Sequence, residues 1–315
     1  VKSTAGANYP AFMGTGNTER GFATATVTLQ PFTKIWEKSP AGGNYPAFMG
    51  TGNTERGLAF GKIGANDRVL LVDRKISDFV YILNAATGDS IGVLDTTGFK
   101  ALSLGTLKIN DVEVSSDGVI FACNLTTGAG ADTVFKVYKW SNETAAPQVA
   151  VSFVTKIRLG DKFTVTGSTA DNSVVIWAAG AGNTKVYTFS TTDNGVTFTP
   201  NTITLTGSAL GSTPSICPNK NASEFYVKSN GSYLKRYLAN GTLQDSVSGT
   251  IIATGSNALR YFEANSKKYL VVYAYGASNE NVRVIDVTGG LAAATLVGTS
   301  PTLGSVSKTN GTGDV

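Results

Sequence analysis

The sequence predicts an all-β fold, a β-propeller of about six four-stranded blades, five complete and one closed by both termini. Three observations predict it. Apolar and polar residues alternate in short runs, and helical periodicity is nearly absent. Gly, Asn or Asp ends most of these runs, as tight turns require. The runs come in groups of four that recur about every 40 to 50 residues, the spacing of propeller blades.

The first complete group is Leu58–Ile63, Arg68–Asp73, Phe79–Asn84 and Ser90–Asp95, its last two strands joined by a Gly-bearing hairpin loop at residues 85–89. The second is Leu107–Val114, Val119–Asn124, Val134–Trp140 and Gln148–Val154, with a Ser-Ser-Asp-Gly turn after its first strand. The third is Lys162–Thr166, Ser173–Ala178, Lys185–Ser190 and Thr197–Leu205. The fourth is Ser215–Pro218, Glu224–Lys228, Tyr233–Leu238 and Thr242–Ser248. The fifth is Ala258–Ala264, Lys268–Tyr275, Asn281–Val287 and Ala294–Gly298. Each group reads as an antiparallel meander, with its first strand at a central channel and its fourth outside. Runs such as Val69-Leu70-Leu71-Val72 and Val174-Val175-Ile176-Trp177 are apolar at every position, as strands packed between neighbouring blades must be.

The ends read as a sixth blade cut in two. Ala23–Leu29 and Phe32–Lys38 would supply outer strands, and Gly304–Lys308 an inner one. Two stacked sheets are the alternative architecture. The even four-strand rhythm disfavours it, because Greek-key sandwiches have longer and less regular connections.

The totals exclude several functions. Of the 315 residues, 42% are apolar and only 15% charged, and the net charge of +4 is not gathered in a basic block. Nucleic-acid binding therefore has no electrostatic footprint. No apolar run approaches the ~20 residues that span a bilayer. Val1-Lys2-Ser3-Thr4 is not a signal peptide, so an exported protein would be represented here by its processed form or a fragment. Histidine is absent, which removes His-based triads and His-ligated zinc. Cys123 and Cys217, each inside an apolar run, read as buried free thiols; a disulfide would need them on adjoining strands.

Residues 1–21 form an N-terminal extension ahead of a propeller over 22–315. The extension ends with the fourteen residues Asn8–Gly21, repeated letter for letter at Asn44–Gly57. Two identical segments compete for any one docking place. The second copy leads into the first strand of the first complete blade, so Tyr45, Pro46, Phe48 and Met49 should pack on the ring. The first copy offers Tyr9, Pro10, Phe12, Met13 and Arg20 as subunit contacts, docked in cis or head-to-tail on a neighbour.

Two resemblances can be placed on these residues. Thr191–Phe198 (Thr-Thr-Asp-Asn-Gly-Val-Thr-Phe) resembles the Asp-box turn between the third and fourth strands of sialidase-like propeller blades. It implies a fold feature, remote from sialidase chemistry. Phe32–Ser39, Gly52–Ala59, Val80–Gly88 and Gly311–Val315 look like an uncharacterised propeller-like domain of secreted surface proteins of Bacteroidota and relatives. That resemblance implies a fold and an extracellular or cell-surface location, and carries no established activity with it. The duplicated segment departs from it, and a C-terminal sorting domain would lie outside these residues.

Candidate chemistry is sparse, and no catalytic residue, cofactor or metal ligand set emerges. Glu55 and Arg56 read as a binding pair at one rim or as an ion pair fixing the start of the first blade. Arg68, Arg74, Arg158, Arg236, Arg260 and Arg283 are scattered, without the framing a sialidase needs. No Asp-x-Asp-x-Asp-Gly loop is present, which leaves open only a calcium ion held by channel carbonyls. The aromatics, among them Trp36, Trp140, Trp177, Tyr261, Phe262, Tyr269, Tyr273 and Tyr275, suit blade packing first and a sugar platform second. Asn-x-Ser/Thr at Asn124, Asn142, Asn221, Asn230, Asn240 and Asn310 follows from composition. Asp followed by Ser or Thr and then an aliphatic residue or Thr resembles the O-glycosylation signal of exported Bacteroidota proteins. It makes Ser90, Thr96, Thr133 and Ser246 glycan candidates. The expected function is a non-enzymatic extracellular structural or adhesion module, the repeating subunit of a surface fibre. A carbohydrate-binding propeller is the alternative, and a propeller-type glycoside hydrolase comes third.

Overall fold

The computed structural model describes residues 34–38, 42–50, 54–130, 132–247, 249, 251–252, 255, 258–274 and 281–301. All belong to one compact unit within Pro31–Val315. They form five four-stranded antiparallel sheets, each with its strands paired in chain order. Blade 1 is β1 (Glu55–Ile63), β2 (Asn66–Asp73), β3 (Phe79–Asn84) and β4 (Ser90–Val93). A single helical turn, α1 (Phe99–Leu102), leads to blade 2: β5 (Leu107–Val114), β6 (Ile120–Leu125), β7 (Val134–Trp140) and β8 (Gln148–Val154). Blade 3 is β9 (Phe163–Thr166), β10 (Val175–Ala179), β11 (Lys185–Ser190) and β12 (Thr199–Thr204). Blade 4 is β13 (Ser212–Pro218), β14 (Glu224–Asn230), β15 (Lys235–Leu238) and β16 (Leu243–Ser246). Blade 5 is β17 (Ala258–Ala264), β18 (Lys267–Ala274), β19 (Asn281–Asp286) and β20 (Thr295–Thr299). The arrangement is a β-propeller. The twenty strands expected for the five complete blades are present, within a few residues of their expected ends.

Four apolar cores lie between the five blades, and each is built by the period-2 geometry of the second strands. Leu70 and Val72 of β2 meet Ile120 and Ala122 of β6. The other face of β6, Phe121 and Cys123, meets Ile176 and Ala178 of β10. Trp177 and Ala179 of β10 then meet Phe225 and Val227 of β14. Tyr226 of β14 faces Leu270 and Val272 of β18. Every position of β6 is buried. Each such Leu, Val, Ile or Phe contributes about 1.5–3 kcal/mol by leaving water. The fourth strands β4, β12 and β20 are largely exposed, as outer strands should be.

First strands contact one another in succession round the axis, β1 with β5, β5 with β9, β9 with β13 and β13 with β17. This crowding explains Gly57: a Cβ there would overlap Asp111 and the backbone of Val112 on β5. Carboxylates fasten neighbouring blades. Asp117, in the β5–β6 turn, accepts bonds from the backbone N–H groups of Thr169 (3.0 Å) and Ala170 (3.1 Å) in blade 3 and from the Thr169 hydroxyl (2.6 Å). Asp245 of β16 accepts from Leu291 N–H (3.0 Å) beyond β19 while holding Arg236 in a bidentate pair at 2.9 and 2.8 Å.

The expected sixth blade is only partly within view. Ala23–Leu29 and Gly304–Lys308 lie outside the described residues. Residues 34–38 form no strand, which corrects the expectation for the described part of Phe32–Lys38. Trp36 lies against blade 1 and donates its indole N–H to Ala85 O (2.8 Å), so a side-chain contact takes the place of ladder pairing. The one-turn helix α1 was not legible either. Its Phe99 is buried edge-on against Tyr138, with ring centroids 5.0 Å apart.

Candidate functional site: the channel mouth and the flank of blade 1

The inner strands begin on one side of the ring, and three of the five begin irregularly. Register shifts fall between Glu55 and Leu58 in β1, Leu107 and Asp111 in β5, and Ser212 and Ser215 in β13. Such bulges turn side chains away from the regular alternation. Arg56 and Asn110 lie within the first two shifts and meet: Arg56 Nε donates to Asn110 Oδ1 at 3.3 Å. Arg74, just beyond β2, reaches the same oxygen at 3.5 Å. Asn110 is buried and held from behind, donating Nδ2 to Gly160 O (2.8 Å) and Asp161 O (3.1 Å). Gly160, at φ +96°, passes too close to Asn124 O to carry a side chain.

The far wall comes from the β8–β9 connection. Arg158 forms a bidentate pair with Asp161, Nε to Oδ2 at 2.9 Å and Nη2 to Oδ1 at 2.5 Å. Lys162 Nζ stands 3.6 Å from Asp111 Oδ1, both side chains nearly out of solvent. Asp111 Oδ2 accepts the Phe163 N–H at 2.8 Å, tying blade 2 to blade 3. Deeper in the ring, Glu113 of β5 pairs with Arg260 of β17, a bond that crosses between non-neighbouring blades.

The electrostatics are unbalanced. Burial pushes the Arg56 guanidinium below its ordinary value; Asp161 and Asp111 oppose this, and Arg158 adds to it. Burial, and then the Arg56 charge, push Arg74 down to about 10. Arg158 is raised by its bonds to Asp161. Asp78, at the start of β3, is raised by burial against the pull of Lys108 and Arg74. It lines a cavity of about 230 Å³ with Phe79, Phe99, Lys100, Lys108 and three hydroxyl residues.

The second feature is the flank of blade 1 that faces away from blade 2. Val69, Leu71 and Leu83 are its buried floor, with Leu58 and Tyr81 beside them. Trp36, Phe48 and Met49 cover it. Phe48 stacks on Tyr81 at 3.9 Å and 13°. Lys75 Nζ donates to Ala47 O and Met49 O, each at 2.8 Å, and Tyr45 OH bonds Gly50 O. The described part of Asn44–Gly57 therefore packs on the ring, as its apolar side chains require. At the edge of this flank Phe60 is 66% exposed. It borders a groove of about 430 Å³ with Asn66, Asp67, Arg68 and Asn84.

Glu55 and Arg56 are separated by the alternation of β1. Glu55 Oε1 accepts from Thr54 Oγ1 (3.0 Å) and from Gly50 N–H, while Arg56 turns to Asn110. Tyr9, Pro10, Phe12, Met13 and Arg20 lie outside the described residues. Ser90, Thr96 and Ser246 are exposed, and Thr133 is half-buried. The aspartates before them all have local partners: Asp89 holds Lys38, Asp95 holds Thr97 N–H, Asp132 holds Thr127 N–H and Asp245 holds Arg236. Cys123 and Cys217 are free and buried. Within 191–198, between β11 and β12, Asp193 accepts from Thr197 N–H (2.8 Å) and Val196 N–H (3.1 Å). Among the described residues no group of three His, Cys, Asp or Glu could hold a metal, and no helix is long and apolar enough to cross a membrane. Sequence reading missed the meeting of Arg56, Arg74 and Arg158. Its signal was positional: polar residues where successive first strands begin.

No protein-family model matches the chain, and no curated protein matches it. Solved structures do. A DUF4623 family protein from Bacteroides eggerthii superposes with a TM-score of 0.60 at 17% identity, over 76% of this chain and 56% of its own. The chain thus spans little more than half the length of that relative. A dihydro-heme d1 dehydrogenase, NirN, gives 0.46 at 13% identity over 77% of this chain and 47% of its own. A GH43 β-1,3-galactosidase gives 0.40 at 11% identity over 62% and 47%. At these identities the first likeness speaks to the fold.

Proposed function

We propose that the protein is a non-enzymatic extracellular module of assembly and adhesion, the repeating subunit of a surface fibre joined head-to-tail. One observation carries the proposal. Blade 1 offers an apolar seat that holds Phe48 and Met49, and the chain carries a second, identical copy of the segment that fills it. Residues 8–21 of one subunit can replace residues 44–57 of the next with every contact conserved. Such exchange is a low-cost route to assembly, and a non-closing head-to-tail exchange builds a filament. The resident copy competes with the effective concentration of a short tether, in the mM range, so assembly belongs at high local concentration, as on a cell surface. The location rests on the resemblance of the chain's motifs to exported surface proteins. On the same reading Ser90, Thr96, Thr133 and Ser246 carry O-glycans; peptides of native-host protein spanning these positions at their unmodified masses would refute this.

Deleting residues 1–21 should leave the propeller folded and abolish polymers in light scattering and electron microscopy. Phe48→Ala should do the reverse, because it weakens the resident competitor. Assembly by the truncated chain, or a monomer at every concentration, overturns the proposal. The groove beside Phe60 favours carbohydrate binding as the second reading, since an exposed aromatic face next to Asn, Asp and Arg suits a sugar ring. Phe60→Ala without loss of binding to a glycan panel would remove it.

A further inference from the structure

The channel mouth has more cationic than anionic groups, and its geometry exposes one of the cations. Among the described residues Arg56, Arg74, Arg158 and Lys162 converge there with Asp111 and Asp161, and Asp78 acts on Arg74 from beyond ion-pair distance, four cations to three carboxylates. Arg158 spends the Nε–Nη2 edge of its guanidinium on Asp161, and Lys162 stands against Asp111. Arg74 differs. Its guanidinium has five N–H donors, and the one side-chain hydrogen bond it makes among the described residues is the long contact to Asn110 Oδ1 at 3.5 Å. No carboxylate of the described residues lies within ion-pair distance of it. It remains half-buried, so solvent still reaches it. Asn110 cannot reorient to favour one guanidinium, because Gly160 O and Asp161 O hold its amide nitrogen.

We propose that Arg74, backed by the Arg56 charge and aimed by Asn110, is the anchor of a binding site for a small carboxylate at the mouth of the channel. The chemistry selects this class. A guanidinium presents paired N–H groups in a plane, which match the two oxygens of a carboxylate better than a point charge does. A bound anion would also relieve the repulsion between two partly desolvated cations, the same repulsion that depresses the Arg74 guanidinium. The walls are already fixed by the Arg158–Asp161 pair and by the Asp111 bond to Phe163 N–H, so little ordering is left to the binding step. Arg74 and Asn110 lie outside the segment 44–57; Arg56 lies within it, and on segment exchange the identical Arg20 would take its place.

Calorimetry of the full chain at low salt tests it, with glucuronate as probe, glucose as its neutral counterpart and sulfate as a non-planar anion. Glucuronate should bind, glucose should not, and sulfate should bind more weakly. Arg74→Gln should weaken glucuronate by about tenfold or more, the loss of a charge-assisted pair. Arg74→Lys keeps the charge and loses the fork, and it carries the test if the glutamine variant misfolds; it too should weaken glucuronate. Equal heats from glucuronate and glucose, sulfate binding as tightly as glucuronate, or Arg74→Lys binding like the parent would each overturn the proposal.

Discussion

Removing the Asp117 carboxylate isolates the bond between blades 2 and 3. The group accepts from Ser115 Oγ (2.5 Å), Thr169 Oγ1 (2.6 Å), Thr169 N–H (3.0 Å) and Ala170 N–H (3.1 Å). Burial pushes its carboxyl up, but these four bonds outweigh burial and hold it at about 2. Its folded value lies below its ordinary value of 3.8, so the stability it contributes is complete above about pH 4 and is lost as pH falls through about 2. The difference corresponds to about 2.5 kcal/mol before screening. Asp117 is exposed at the surface, and solvent screening reduces this to about 1 kcal/mol. At pH 2 half of the folded molecules carry the proton, and a few tenths of a kcal/mol, roughly, remain. Asp117→Ala should therefore destabilise the protein by about 1–2 kcal/mol at pH 7 and distinctly less at pH 2. Urea unfolding followed by tryptophan fluorescence at both pH values measures the difference. The same loss at pH 7 and pH 2, or none at pH 7, would refute the reasoning.

Two further outcomes follow from the packing. Gly57→Ala should cost about 2 kcal/mol or more, because the added methyl meets the backbone of β5 and must push two inner strands apart; an unchanged thermal midpoint would contradict that close approach. Cys123 and Cys217 are buried and their thiols are pushed well up by burial, so a thiol reagent should label neither in the native protein and both in denaturant. Labelling of either thiol in the folded state would place it nearer the surface.

The twenty strands were legible because their causes are local. Alternation fixes which side chain faces which side, and Gly, Asn and Asp fix where the chain turns. Strands apolar at every position, such as Val69 to Val72 and Val174 to Trp177, declared that both faces are covered. The recurrence of four strands then implied blades. The packing of Phe48 and Met49 was legible for a similar reason, since such side chains beside a first strand must be buried.

The channel mouth was not legible. Arg56 and Asn110 are 54 residues apart, Arg74 and Asn110 are 36, and Asn110 and Asp161 are 51. No local pattern marks those pairs. They meet because each blade returns the chain to the axis, and bulges at the starts of β1 and β5 turn the side chains inward. The separation of Glu55 from Arg56 has the same origin: adjacent residues of a strand face opposite ways, and only the neighbouring blade decides what each one finds. Trp36 likewise belongs to blade 1 through Ala85, 49 residues away, and not through a strand of its own. Composition and alternation determined the blades, because a strand's periodicity is written in consecutive residues. The packing of successive blades decided the site, because charges that share one mouth are brought there by contacts across whole blades.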